Sequence, residues 1–178
     1  VTGKKTKSKG KKSYQETAMA EETNPDAGKQ IGISKIYVKD FSFESPKAPD
    51  VFRSGEWSPQ TDLNLRSSHT AVEGDEKLHE VVLTITVEAK QEDTTMFLAE
   101  VQQAGLFQVD GYDEEEFKAI VGSFCPNILF PYAREASASA VQRGGFPEFV
   151  LQPINFDALY LQSRQAAAQK QAEAAEKH

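Results

Sequence analysis

Residues 79–89 read His79-Glu80-Val81-Val82-Leu83-Thr84-Ile85-Thr86-Val87-Glu88-Ala89, and their period decides the fold class. Val81, Leu83, Ile85 and Val87 share one parity, while Glu80, Thr84, Thr86 and Glu88 share the other. A repeat of two places alternate side chains on opposite faces of a strand, where a helix would scatter them. β-Branched residues dominate the run, and they favour strand over helix. One face is therefore buried and the other solvated, as in an antiparallel sheet.

The same alternation extends in both directions. Residues 95–109 continue it with Phe97, Ala99 and Val101 against Met96, Leu98, Glu100 and Gln102, and residues 60–66 set Leu63 and Leu65 against Asp62, Asn64 and Arg66. Residues 33–44 make a fourth strand, with Ile33, Tyr37, Phe41 and Phe43 on one parity and Asp40, Ser42 and Glu44 on the other. It has a flaw: Lys35 and Lys39 share the parity of the aromatics, and Ile36 and Val38 that of the acids. Its first half is thus not buried on a single side. Polar links such as residues 72–77, with Gly74 and Asp75, suit an antiparallel meander.

After Gly111 the period changes. Residues 113–122 start with acids and space Phe117, Ile120 and Val121 as a helix does, the acids complementing the macrodipole. Pro131 suits a helix start, residues 132–143 follow without a breaker, and Gly144-Gly145 stops them. A last helix begins near Asn155 or Phe156 and shows Phe156, Leu159 and Tyr160 on one face. From residue 165 only Ala, Gln, Lys, Glu and His remain, so that tail is expected to fray. Strands first and helices afterwards predict an α+β domain, a four-stranded antiparallel sheet with helices packed on one face.

A chain of 178 residues, 39% apolar and 26% charged, has room for one ordinary domain. Its apolar runs are too short for a membrane-spanning helix, and the parts of a secretory signal are missing. A lone cysteine, Cys125, excludes a disulfide framework and any Cys-rich zinc module, so a reducing compartment, the cytoplasm, is expected. Six lysines and no acid fall within residues 1–12 of a chain whose net charge is −7, which leaves the rest strongly acidic. Such a body repels nucleic acid and anionic membrane and attracts cationic partners. Residues 1–30 read as a disordered leader. Met19-Ala20-Glu21-Glu22 would make a natural start, so residues 1–18 are expected to be foreign to the native chain. The domain then spans residues 31–164, with a flexible tail over 165–178.

On the sheet face opposite the apolar parity stand Asp40, Glu44, Asp62, Glu80, Glu88 and Glu100 with a single Arg66, an acidic platform that includes Leu98. The residues carry no catalytic constellation, so an enzyme is not expected. Cys125 lies in an apolar stretch that favours a buried, inert thiol. His69 and His79 lack the spacing of metal ligands. The acids of residues 113–116 suit a first helical turn, and Gly144-Gly145 lacks the surroundings of a phosphate cradle. Two segments are more informative. Residues 45–59 carry Pro46, Pro49 and Pro59 with Val51, Phe52 and Trp57, and residues 144–154 carry Pro147 and Pro153 with Phe146, Phe149, Val150, Leu151 and Ile154. Large apolar side chains on stiffened extended chain pack against the domain, another subunit or a ligand, and any part left open would groove an extended apolar peptide. Small residues at Ala133, Ala136 and Ala140 suit close helix approach in self-association, or simply high helix propensity.

Longer motifs add a family. Residues 36–44 (IYVKDFSFE), Ala48-Pro49, Trp57, residues 100–105 (EVQQAG), residues 125–135 (CPNILFPYARE) and residues 153–159 (PINFDAL) together resemble the SecB family of bacterial export chaperones, from about residue 33 to 160. The resemblance implies a homotetramer, a dimer of dimers, that holds precursor proteins unfolded and passes them to the SecA motor, without cofactor or metal. It implies docking of the SecA zinc-binding tail by Asp40, Glu44, Leu98 and Glu100. It implies client contacts at Phe43, Phe52, Trp57, Phe146, Leu151 and Phe156, and an oligomer interface near Ala99, Val101 and Gln103, to which the small-residue helix adds Ala133, Ala136 and Ala140. The lysine-rich leader has no counterpart in the family pattern, and the tail beyond residue 165 has only Glu173 and Glu176 as acids. Two alternatives stand beside this reading: a SecB-like chaperone of a toxin–antitoxin system, and a nucleic-acid-binding adaptor built on the lysine run.

Overall fold

The computed structural model describes residues 28–53 and 55–175, so most of the expected leader and the last three residues lie outside it. Four antiparallel strands form one sheet: β1 (Gln30–Glu44), β2 (Gln60–Val72), β3 (Asp75–Gln91) and β4 (Thr94–Asp110). Their order is β1-β4-β3-β2. The expected meander therefore holds for β2, β3 and β4, while β1 crosses to the far edge and pairs with β4. Residues 45–59 make that crossing around the β3–β4 hairpin end. Gln91 pins them, its Nε2 donating to the Glu56 carbonyl at 2.8 Å and its Oε1 accepting from the Ser58 N–H at 3.1 Å.

The flaw in the first strand has a structural cause. The β1–β4 register slips between Ile33 and Lys35 and again between Val38 and Asp40. Each bulge inserts one extra residue and flips the parity of the residues beyond it. The first flip brings Ile36 and Val38 to the side of Ile31 and turns Tyr37 to the opposite face, and the second returns Phe41 and Phe43 to the side of Ile31. The aromatic parity read from the sequence was thus wrong for Tyr37. Between the bulges the buried amide of Gln103 donates from Nε2 to the Tyr37 carbonyl at 2.9 Å, holding the irregular backbone in register.

β2 runs six residues beyond the alternating stretch, through polar Ser67, Ser68, His69 and Thr70, because β3 offers a paired partner along its length. Tertiary pairing overrides weak local propensity there. The helices are α1 (Glu114–Ala119), a π turn over Ile120–Phe124, α2 (Cys125–Arg143) and α3 (Phe156–Ala175). Asp113 and Glu116 cap α1 reciprocally: Glu116 N–H donates to Asp113 Oδ1 at 2.8 Å and Asp113 N–H to Glu116 Oε2 at 3.2 Å. Pro131 does not start α2 but sits inside it, on an exposed position where water can serve the carbonyl that loses its donor. Pro126 is the proline that opens the helix. α3 continues to Ala175, and its residues beyond 165 that are described are exposed.

α2 covers one face of β3 and β4. Val81, Leu83, Ile85, Val87 and Phe107 from the sheet meet Cys125, Leu129, Ala133 and Val141 from the helix in a single core. Burial pushes the Cys125 thiol up to about 12, so it stays protonated and unreactive at neutral pH.

Candidate functional site

The two proline-stiffened segments meet on one side chain. Phe146, 5% exposed, follows the helix stop and is the hub of an aromatic cluster. Its ring centroid lies 5.0 Å from Phe97, 5.2 Å from Phe52, 5.4 Å from Trp57 and 6.2 Å from Phe43. Gly144 makes room for this: a Cβ there would stand 2.1 Å from the Phe43 ring. Gly145 takes the left-handed φ of +85° that turns the chain away from α2. The cluster is open on one side. Phe52 remains 52% exposed and Trp57 39%, and beside them lies a hollow of about 290 Å³ walled by Trp57, Pro59, Phe97, Pro147 and Phe149. Rings fixed by a buried hub yet wet on their outer faces form an apolar trough that the chain does not fill.

Not every expected client residue faces that trough. Leu151 is 3% exposed and belongs to the core. Phe156 lies elsewhere, with its ring 5.6 Å from Phe130, where it lines a second groove beside β2. Phe97 and Phe149, by contrast, line the trough and were not singled out as client contacts. Their place follows from strand parity for Phe97 and from the proline-rich composition around Phe149.

The opposite face carries the carboxylates in rows. Glu44, Leu98, Glu88 and Asp62 are successive cross-strand neighbours across all four strands. Ser42, Glu100, Thr86 and Asn64 form the next row, and Asp40, Gln102, Thr84 and Arg66 the one after. The four expected docking residues, Asp40, Glu44, Leu98 and Glu100, thus come together at one end of the sheet. Thr86 Oγ1 donates to Glu100 Oε2 at 3.0 Å and Gln102 Nε2 to Glu100 Oε1 at 3.4 Å, orienting that carboxylate. Glu88 pairs with Lys90 at 2.9 Å and accepts from Thr95 Oγ1 at 3.1 Å. The lysine bond chiefly, opposed by desolvation and helped by the Thr95 bond, holds the Glu88 carboxyl below its ordinary value.

Glu80 does not belong to this platform. It stands eight residues along β3 from Glu88, roughly 26 Å at strand rise, and is held by Lys39 and the Tyr37 hydroxyl. The Lys39 bond first, then that of Tyr37, lowers the Glu80 carboxyl below its usual value. Burial, with Glu80 beside it, pushes the Tyr37 hydroxyl up to about 12. Between Glu80 and the platform the face is neutral, with Tyr37, Ala104 and Val82 in one row. The sequence grouping by parity was right about the side and blind to this separation.

The expected interface residues mostly lie inside the single chain. Ala99, Val101 and Gln103 are fully buried under α2, and Ala133 and Ala140 face the sheet. No partner can touch them directly. Ala136 is half-buried and lines a hollow of about 470 Å³ between β1 and α2, with Val38, Phe41 and Ser139. Val38 and Phe41, 50% and 46% exposed, went unnoticed in the sequence because the bulges conceal their common side. His69 and His79 come together on Phe117, at 5.7 and 4.7 Å between ring centroids. No group of three or more metal-binding side chains gathers among the described residues, and none of their helices is long and apolar enough to cross a membrane.

An open aromatic trough on one face and oriented carboxylates on the other define a polypeptide-binding chaperone scaffold. Residues 24–167 match the SecB family, described as preprotein translocase subunit SecB. The protein-export protein SecB of Ectopseudomonas mendocina (strain ymp) is 51% identical over 152 residues, spanning 85% of this chain and 90% of its own. That of Methylococcus capsulatus (strain ATCC 33009 / NCIMB 11132 / Bath) is 48% identical over 157 residues, spanning 88% and 99%. The chain belongs to the SecB family of protein-export chaperones. A Mycobacterium tuberculosis SecB-like chaperone, solved in complex with a ChAD peptide from the HigA1 antitoxin, superposes with a TM-score of 0.56 over 70% of this chain and 87% of its own. At 21% identity that likeness speaks for the fold alone. The much higher identity to export proteins disfavours the toxin–antitoxin alternative.

Proposed function

We propose that this export chaperone works in the cytoplasm, holds unfolded precursor chains in the Phe146 trough, and passes them to SecA through its carboxylate platform. The observation that carries the reading is that Phe52 and Trp57 stay wet although both rest on a buried ring. Exposed aromatics in fixed positions gain area and stacking when an extended apolar segment lies across them. Each such contact is weak, and a holdase needs many of them on one client. Glu100, oriented by Thr86 and Gln102 beside Leu98, favours a cationic partner with an apolar contact, as a basic SecA tail would supply.

Assembly into a homotetramer would multiply the troughs. β1 is an edge strand with its outward backbone unpaired, and Val38 and Phe41 lie exposed beside Ala136. A second copy covering that edge would complete the backbone pairing and bury both side chains. Gln103 would then act on assembly through β1, whose bulged backbone it holds, and Ala99 and Val101 through the seat of α2.

The test is Phe52→Ala combined with Trp57→Ala. Affinity for a denatured precursor should fall by about tenfold, measured by titration, while light scattering reports an unchanged oligomer. Unchanged affinity would reject the trough.

A further inference from the structure

Phe52 and Trp57 both stay wet beside Phe146, but the chain fixes them by different means. Phe52 closes the short 3-10 turn Asp50–Phe52, whose Val51 is buried in the core, and its N–H donates to the Pro49 carbonyl at 3.1 Å. A buried neighbour and a backbone bond therefore place its ring. Trp57 has neither. Glu56 and Ser58 on either side of it are exposed, and backbone pairing with β3 starts only at Gln60, opposite Lys90. Packing on Phe146 restrains the indole but not the chain that carries it.

Gln91 supplies the missing restraint. It stands one residue past Lys90, at the end of β3, opposite Thr94. Between them Glu92 and Asp93 take left-handed φ values of 49° and 60°, the tight hairpin turn that matches the twist of the flanking strands and so fixes where Gln91 lies. Its amide accepts from the Ser58 N–H at 3.1 Å and donates to the Glu56 carbonyl at 2.8 Å. In extended chain those two groups flank the residue between them and point to one side. An amide, with one acceptor and two donors in a plane, meets them much as the peptide group of a neighbouring strand would. The side chain thus carries the β2–β3 ladder past its last backbone pair.

Resting on the trough reading above, we propose that Gln91 is the positioning residue for Trp57, clamping the backbone on both sides of the indole so that the ring meets a client already in place. A side chain ordered beforehand loses less freedom on binding, so more of its contact appears as affinity. A carboxylate at this position could not donate to Glu56, and an apolar side chain could make neither bond.

The experiment uses the full chain and reads Trp57 directly, since it is the single tryptophan. Gln91→Met keeps the length of the side chain and loses both bonds. Trp57 emission anisotropy should fall, and a labelled denatured precursor should bind about threefold more weakly by titration. Gln91→Glu keeps length and polarity but has no donor for the Glu56 carbonyl, and its Trp57 anisotropy should fall as well. In a Trp57→Ala background Gln91→Met should weaken precursor binding no further, because the clamp has no indole left to place. A glutamine that only supports the fold would cost the same factor there. Unmoved anisotropy in both Gln91 variants overturns the proposal, and so does an equal added loss of binding in the Trp57→Ala background. If Trp57→Ala alone leaves binding unchanged while anisotropy falls in the Gln91 variants, the failure lies in the trough reading and not in the clamp.

Discussion

The two faces of the sheet are made by the same strands and work by opposite physics. On the helix side Phe146 is buried while Phe52 and Trp57 stay exposed, and the recognition proposed there depends on apolar area. On the bare side Glu44, Glu88, Glu100 and Asp62 are gathered by register, and the docking proposed there depends on charge. Stability and binding are therefore coupled on the first face and separable on the second. A trough cannot lose its hub without loosening the core, whereas a solvated carboxylate can be exchanged with little effect on the fold.

That contrast can be broken by experiment. Phe146→Ala should cost about 3–5 kcal/mol of stability, read by denaturant unfolding, and should weaken client binding with it. A stable variant that still binds clients would show the hub to be dispensable. Next in size, Glu100→Lys should reduce SecA docking by about thirtyfold in calorimetry and leave both client affinity and unfolding midpoint in place. Loss of client binding in that variant would merge the two faces into one site. Raising ionic strength from about 0.1 to 1 M shortens the screening length from roughly 10 to 3 Å. Docking should weaken markedly over that range while a neutral apolar client binds as before; parallel losses would mean that charge governs both.

The smallest effect concerns the ion pair set apart from the platform. Lys39 and Tyr37 lower the Glu80 carboxyl, so the pair stabilises the fold above the carboxyl's unfolded pKa, and this is lost as pH falls through the lower folded value. With Lys39 44% exposed, screening limits the worth of the pair. Glu80→Gln should therefore cost less than about 1 kcal/mol at pH 7 and almost nothing near pH 3. An equal cost at both pH values would assign the loss to shape rather than to charge.

Much of the site was legible in one dimension because a strand maps parity onto faces. Alternation placed Asp40, Glu44, Leu98 and Glu100 on one face, the family resemblance singled them out there, and the structure puts them at one end of that face. Proline with large apolar residues marked both segments that meet at Phe146. What alternation could not foresee were bulges, since an inserted residue leaves no sign except a broken parity. That broken parity was visible at Lys35 and Val38, and it concealed the apolar edge of β1. Burial of Leu151, Ala99 and Gln103 was equally invisible, because it depends on which helix lies above them.

Local periodicity, turn residues and charge by themselves determined an α+β chain with a strongly acidic body, a helix stop at Gly144-Gly145 and two stiff apolar segments. Only the tertiary structure decided that β1 crosses to pair with β4, that Phe146 is sealed while Phe52 and Trp57 stay wet, and that Glu80 is paired apart from the other carboxylates. The physical reason is range. Period and propensity act over a few residues, while exposure and charge environment are set by neighbours dozens of positions away.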